Sequence, residues 1–168
     1  MMTATKSARA QFTIERTFEA TLDEAWALWT TKEGIESWWG PQGFDVTVLS
    51  IDVRAGGALV YRMTATGAGQ VAFMKQSGMP LSTDCKISYT DVSAPTRLAY
   101  TTLADFVPGV EPYEVATLVE LEATANGVKI RITFDAMHDD VWTARARAGH
   151  ESQLAKLDKL MARRAGNP

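Results

Sequence analysis

Two histidines, His138 and His150, and one cysteine, Cys85, carry most of the capacity for acid–base, metal or nucleophilic chemistry in this sequence. A single cysteine forms no internal disulfide and supplies no cysteine-based zinc site. Cys85 alternates with Ile87 in a run of period two, so it reads as a small buried hydrophobe on a strand. A nucleophilic thiolate would need an activating base beside it. His138, Asp139, Asp140 and Glu111 hold ligand-type atoms, but they lack the i, i+4 pair of a helical metal site. The aspartates read better as caps at the head of a helix. No metal and no cofactor are expected. His150 lies four residues before Leu154 and seven before Leu157, on the apolar stripe of a helix. There it is either a satisfied core histidine or an acid–base group facing a cavity, with a pKa tuned by burial.

Aromatic and methionine side chains supply the other candidates. Tyr61, Met63, Tyr100 and Val119 fall on strand faces expected to look inward. Their bland role is core filling, but a buried tyrosine hydroxyl needs a partner and can orient a polar group on an apolar ligand. Trp26 and Trp29 share the apolar face of a helix and are expected to pack in the core. Trp38 and Trp39 are adjacent, so in a regular element they cannot both face inward. One is expected to pack under a loop and the other to reach a cavity mouth. Phe106 and Tyr113 flank a proline-restricted segment, and Phe73, Met74 and Met79 lie in another long connection. Together they form either two loops packed on each other or an apolar lid.

These residues must be positioned by elements legible in the hydrophobic pattern. Residues 11–18 alternate as a strand. Thr21 and Glu24 form a capping box, and Leu22, Ala25, Trp26 and Trp29 follow at helical spacing. A second short helix is expected over residues 32–38, ended by Gly40 and Pro41. Strands are expected over 44–53, 58–66, 84–92, 97–105, 112–124 and 128–136, with Asn126-Gly127 as a hairpin signal. Residues 67–83 do not alternate and leave room for a single helical turn. A long helix over 139–164 has Asp139 and Asp140 at its head and Arg163 and Arg164 at its tail, as the helix dipole prefers.

The chain has 168 residues, enough for one domain, and 46% hydrophobic with 22% charged residues is a globular mixture. A net charge of −3 without a long basic run gives no electrostatic footprint for nucleic acid. No apolar run approaches a membrane span, and the N-terminal residues show no apolar signal core. The expectation is a cytoplasmic protein with no nucleic-acid or membrane partner, for which a homodimer stays open.

A meander of six strands that alternate in direction gathers four connections at one end of the sheet. They are residues 38–43, 67–83, 106–111 and 137–140. They are also the long, aromatic or methionine-bearing ones, so that end is the expected mouth of a pocket between sheet and long helix.

Trp38-Trp39-Gly40-Pro41, the turn Arg54-Ala55-Gly56-Gly57 and the strand Thr96-Arg97-Leu98-Ala99-Tyr100 carry a resemblance. With them, residues 12–161 resemble homologues of the activator of the heat-shock-protein-90 ATPase, a branch of the START-like (SRPBCC) superfamily. The resemblance implies an α+β helix-grip fold. A curved antiparallel sheet of six to seven strands wraps a long C-terminal helix, two short helices lie between strands 1 and 2, and a cavity lies inside. It also implies an apolar or amphipathic ligand. Where relatives usually show Gly-Trp, this chain has Gly149-His150, and its 67–83 connection is longer than many.

The expected organisation is a flexible tail over residues 1–10 and one domain over 11–165. The expected function is binding of a small apolar or amphipathic molecule under the long helix, entering past Phe73, Met74 and Phe106. The expected contacts are Trp38, Trp39, Tyr61, Met63, Phe73, Met74, Tyr100, Phe106, Tyr113 and His150. The alternatives are a cyclase- or hydrolase-type enzyme using His150 or the tyrosines, and a protein that acts on a chaperone ATPase.

Overall fold

A computed structural model describes residues 10–105, 107–164 and 166. Strand β1 (Gln11–Phe18) leads into helices α1 (Leu22–Thr30) and α2 (Lys32–Glu36). Strands β2 (Phe44–Ile51) and β3 (Ala58–Ala65) are followed by helix α3 (Ala68–Gln76). Strands β4 (Ser82–Ser93), β5 (Arg97–Ala104), β6 (Tyr113–Thr124) and β7 (Gly127–Asp135) complete the sheet before helix α4 (Asp140–Arg164).

The seven strands form one antiparallel sheet in the order β1-β7-β6-β5-β4-β3-β2. This is the meander the alternation predicts, with β1 returning to pair with the last strand. Bulges at Val48/Ser50 and Tyr89/Asp91 interrupt β2 and β4. Such bulges bend a strand and raise its local twist, which helps an open sheet curl. One face is dry. Leu59, Ile87, Leu98, Val119, Ile130 and Ile132 point into the core, while the polar residues between them face out.

Local chemistry explains the helices. The Thr21 side chain accepts the Glu24 backbone N–H, and Glu24 accepts that of Thr21, closing the expected capping box. Helix α2 is shorter than expected and ends at Glu36. Its Gly34 is required by packing, because a Cβ there would collide with the backbone of Ala27 and Leu28. Residues 67–83, expected to be largely irregular, instead contain the nine-residue helix α3. Period-two alternation is absent there because the segment is helical, and α3 has no strong apolar stripe to announce it.

Asp139 caps α4 by accepting the Trp142 N–H at 2.8 Å, as the paired aspartates suggest. The inward face of α4 changes along its length. Leu154, Leu157 and Met161 are buried in the C-terminal half. One to two turns earlier the corresponding positions are His150 and Ala146, which are smaller. The helix therefore fills the core at one end and leaves it underfilled at the other.

Candidate functional site

The underfilled end holds a hollow of about 160 Å³. Helices α1 and α4 contribute Trp29, His150, Gln153 and Leu154, and the segment after α2 contributes Trp38 and Trp39. The sheet contributes Tyr61, Ile87, Tyr100, Thr102, Thr117, Ile132 and Phe134. No Asp, Glu, Lys or Arg is among these walls. A second hollow of about 140 Å³ lies toward the start of α4, where Ala146 and Met137 face Leu103, Ala104 and Val115. Thr102, Thr117 and His150 are walls of both.

An aromatic ladder frames the first hollow. Trp29 meets Trp38 edge-on at 4.6 Å between ring centroids, and Trp38 meets Trp39 at 5.2 Å. Trp39 then reaches Tyr61 and Tyr100, each at 6.3 Å. The expectation that only one of the adjacent tryptophans turns inward is corrected here: Trp38 is 1% and Trp39 5% exposed. The alternating-face rule does not apply because both lie beyond the end of α2, outside any regular element. The Trp38 indole N–H donates to the Leu28 carbonyl at 2.9 Å, which anchors one ring to α1. The following loop is fastened to α4. Gly40 and Gln42 donate their N–H groups to Gln153 and Ser152, and the Lys156 ammonium donates to the carbonyls of Trp39 and Phe44. Gly40 and Gly43 adopt positive φ in this loop, a backbone region that glycine enters without steric cost.

The polar atoms around the hollow are uncharged. Burial pushes the Tyr100 hydroxyl well above the ordinary phenol range, with the Tyr61 and Tyr89 hydroxyls adding to the shift and the Trp29 and Thr117 side chains opposing it. Tyr61 is raised by the same cause, with the Cys85 thiol and the Trp39 indole beside it. His150 is held down at about 4 by burial, so it is a neutral imidazole at neutral pH. Its ring stacks on Phe134 at 3.6 Å between centroids. The site thus offers phenolic and threonine hydroxyls, an amide and one imidazole, with no fixed charge.

Of the ten expected contacts, Trp38, Trp39, Tyr61, Tyr100 and His150 come together around this hollow. Met63, Phe73, Met74 and Tyr113 are not among its walls. Met63 is half-buried on β3 beside Gly40. Met74 is the buried residue of α3, whereas Phe73 is 61% exposed on that helix. A lid formed by Phe73 and Met74 together is therefore not what α3 presents, because successive helical residues face different directions. Phe106 lies outside the described residues. The Tyr113 hydroxyl lies 2.7 Å from His138 Nδ1 and accepts the His138 backbone N–H. That pair ties the start of β6 to the approach of α4. Sequence reasoning missed Trp29, Ile87, Thr102, Thr117, Ile132, Phe134, Gln153 and Leu154 as walls. Alternation signalled the strand residues among them, and Gln153 stands beside Leu154 on α4. Cys85 is half-buried rather than buried. It borders a third hollow, lined by residues of β4 and β5.

A seven-stranded antiparallel sheet, two short helices after its first strand and a long C-terminal helix define an open-sheet α+β domain of the START-like kind. The chain belongs to the family described as activator of Hsp90 ATPase homolog 1-like protein, whose model matches residues 19–162. It is similar in fold to a protein from Chromobacterium violaceum at 20% identity, over 94% of this chain and 97% of that one, with a TM-score of 0.72. An AHSA1-like protein from Aeromonas hydrophila matches at 22% identity over 95% and 96%, with a TM-score of 0.69. The AHSA1 protein from Silicibacter pomeroyi matches at 19% identity over 91% and 98%, with a TM-score of 0.70. No curated protein matches the chain. Among the described residues no helix is long and apolar enough to cross a membrane.

Proposed function

We propose that this domain binds a small apolar or amphipathic molecule in the hollow between the sheet and α4. The observation that carries the reading is the wall itself, in which aromatic and aliphatic side chains are interrupted only by uncharged hydrogen-bonding groups. Ligand sites are commonly of this kind, mostly apolar with a few placed polar atoms. An engineered cavity of about 150 Å³ accepts benzene, so a hollow of about 160 Å³ suits one aromatic ring or a short branched chain. The adjoining hollow extends it past His150.

Binding is favoured over acid–base catalysis by the protonation states. A general acid or base works best with a pKa near the operating pH. His150 at about 4 is a weak base, and Tyr61 and Tyr100 are raised away from neutrality. Action on a chaperone ATPase rests on the family description alone.

The test is native mass spectrometry of the purified protein, followed by solvent extraction of anything bound. A co-purifying small molecule that is lost on Tyr100→Trp substitution, with the fold retained by circular dichroism, supports the reading. A protein that carries nothing and binds no member of an uncharged aromatic and short-chain panel refutes it.

A further inference from the structure

The sheet is forked. The β3–β4 ladder runs from Ala58↔Ser88 to Thr64↔Ser82. The β4–β5 ladder runs from Ser93↔Arg97 to Ile87↔Thr102 and stops there. Strand β5 continues alongside β6 as far as Ala104↔Tyr113. Beyond the Ile87/Thr102 rung, β4 is therefore paired only with β3, and β5 only with β6.

The sequence accounts for the fork. A continued ladder would set Lys86 opposite Leu103, Cys85 opposite Ala104 and Asp84 opposite Asp105. Directly opposed like charges destabilise a cross-strand pair. Asp84 instead receives two bonds from the guanidinium of Arg62, its partner in the β3–β4 ladder, at 2.8 and 3.2 Å. The bulge at Tyr89/Asp91 lies just before the fork and adds twist where the strands must diverge.

The fork contains a cleft of about 510 Å³. Two of its walls, Tyr61 and Thr102, are also walls of the interior hollow. Cys85 stands beside Tyr61, and Leu103, 50% exposed, forms an apolar lip. We propose that an uncharged, flat ligand enters the interior through this fork in the sheet, with Tyr61, Cys85 and Thr102 as the threshold. The inference rests on the hollow being a ligand site. It replaces the route past Phe73, Met74 and Phe106 expected from the loops. A gap between two strands is a slot that admits a flat ring more readily than a bulky one. The first hollow has no charged wall and disfavours ions, which would be buried there without a partner, while Asp84, Asp105 and Glu114 in the cleft and Asp135 in the adjoining hollow disfavour anions in particular.

The experiment closes the fork. Ala104→Cys introduces a thiol opposite Cys85 in the continued register, and Cys85 is the sole native cysteine, so the pair is unique. Oxidation links the strands if they approach, and a short bismaleimide links them if they stay apart. Mass spectrometry verifies either link. Stopped-flow energy transfer from tryptophan follows binding of 2-naphthol, with 2-naphthoate as its charged counterpart. Acrylamide quenching in a Trp26→Phe/Trp142→Phe background reports access to Trp29, Trp38 and Trp39 without any ligand. The expected result is that the link slows association and dissociation of 2-naphthol together, at least about tenfold relative to the same Ala104→Cys protein left unlinked, and lowers the quenching constant. Naphthoate should bind at least about tenfold more weakly. Unchanged rates and quenching in the linked protein overturn the route, and equal affinities overturn the charge selection. If neither naphthyl compound binds, the ligand-site reading fails. Quenching that still depends on the link then supports the fork as the opening, and quenching indifferent to it overturns that too.

Discussion

Replacing His150 with phenylalanine tests the electrostatics of the interior directly. Burial holds the imidazole at about 4 against an ordinary 6.5. For a base whose folded-state pKa is depressed, the unfolded chain takes up the proton first as pH falls. The wild type therefore loses stability from about pH 6.5 downward, and the loss from this group is complete near pH 4. Above pH 6.5 the group contributes no pH dependence. Each pKa unit is worth about 1.4 kcal/mol, so the interval from 6.5 to about 4 corresponds to roughly 3 kcal/mol, of which about 2 kcal/mol is lost by pH 5. Asp135, a wall of the adjoining hollow, is the carboxylate that shares a cavity with His150. Its attraction for an imidazolium would shrink the effect. Phenylalanine keeps a ring on Phe134 and cannot titrate. Urea unfolding of both proteins at pH 4.5, 5, 6 and 7.5 should give a stability difference that shifts toward the variant by about 2–3 kcal/mol as pH falls. A difference constant within about 0.5 kcal/mol across that range would refute the claim that its half-buried site keeps His150 neutral, since the scatter of such extrapolations is near that size.

Two further substitutions probe the frame of the site. The Tyr89 hydroxyl, on a residue 2% exposed, is buried with no hydrogen-bond partner among the described residues, and burial pushes its pKa up to about 12. Tyr89→Phe should stabilise the protein by about 1 kcal/mol and raise Tm by roughly 2–4 °C; a drop in Tm on a thermal scan would show that the hydroxyl has a favourable role. Lys156→Met removes both bonds from α4 to the carbonyls of Trp39 and Phe44. It should cost about 1–3 kcal/mol and speed amide exchange selectively in the Gly40–Phe44 loop. Unchanged exchange there would mean that Ser152 and Gln153 hold the loop without it.

The elements were legible where a single periodicity ruled. Alternation in β1, β3 and β5, the Thr21–Glu24 box and the Asp139 cap each act within a few residues, so the neighbouring sequence suffices to specify them. The long inward stripe of α4 was equally readable, and with it the place of His150. Helix α3 was not, because its exposed Phe73 and buried Met74 produce no clear period. The two tryptophans after α2 were misread for a related reason. Their orientation is set by the Leu28 carbonyl and by α4, which are respectively ten and more than a hundred residues away in the chain.

By itself the sequence determined the family resemblance, the order of the seven strands with α1, α2 and α4, and the apolar stripe of α4 that places His150. Only the tertiary structure decided which aromatic rings meet, that the walls of the first hollow carry no charged side chain, and that the sheet opens between β4 and β5. Local rules govern the direction a side chain takes from its own backbone. A cavity and a broken ladder depend on where distant strands stop pairing. Here the ladder between β4 and β5 ends at Ile87 and Thr102, and Asp84 and Asp105 both border the cleft beyond it.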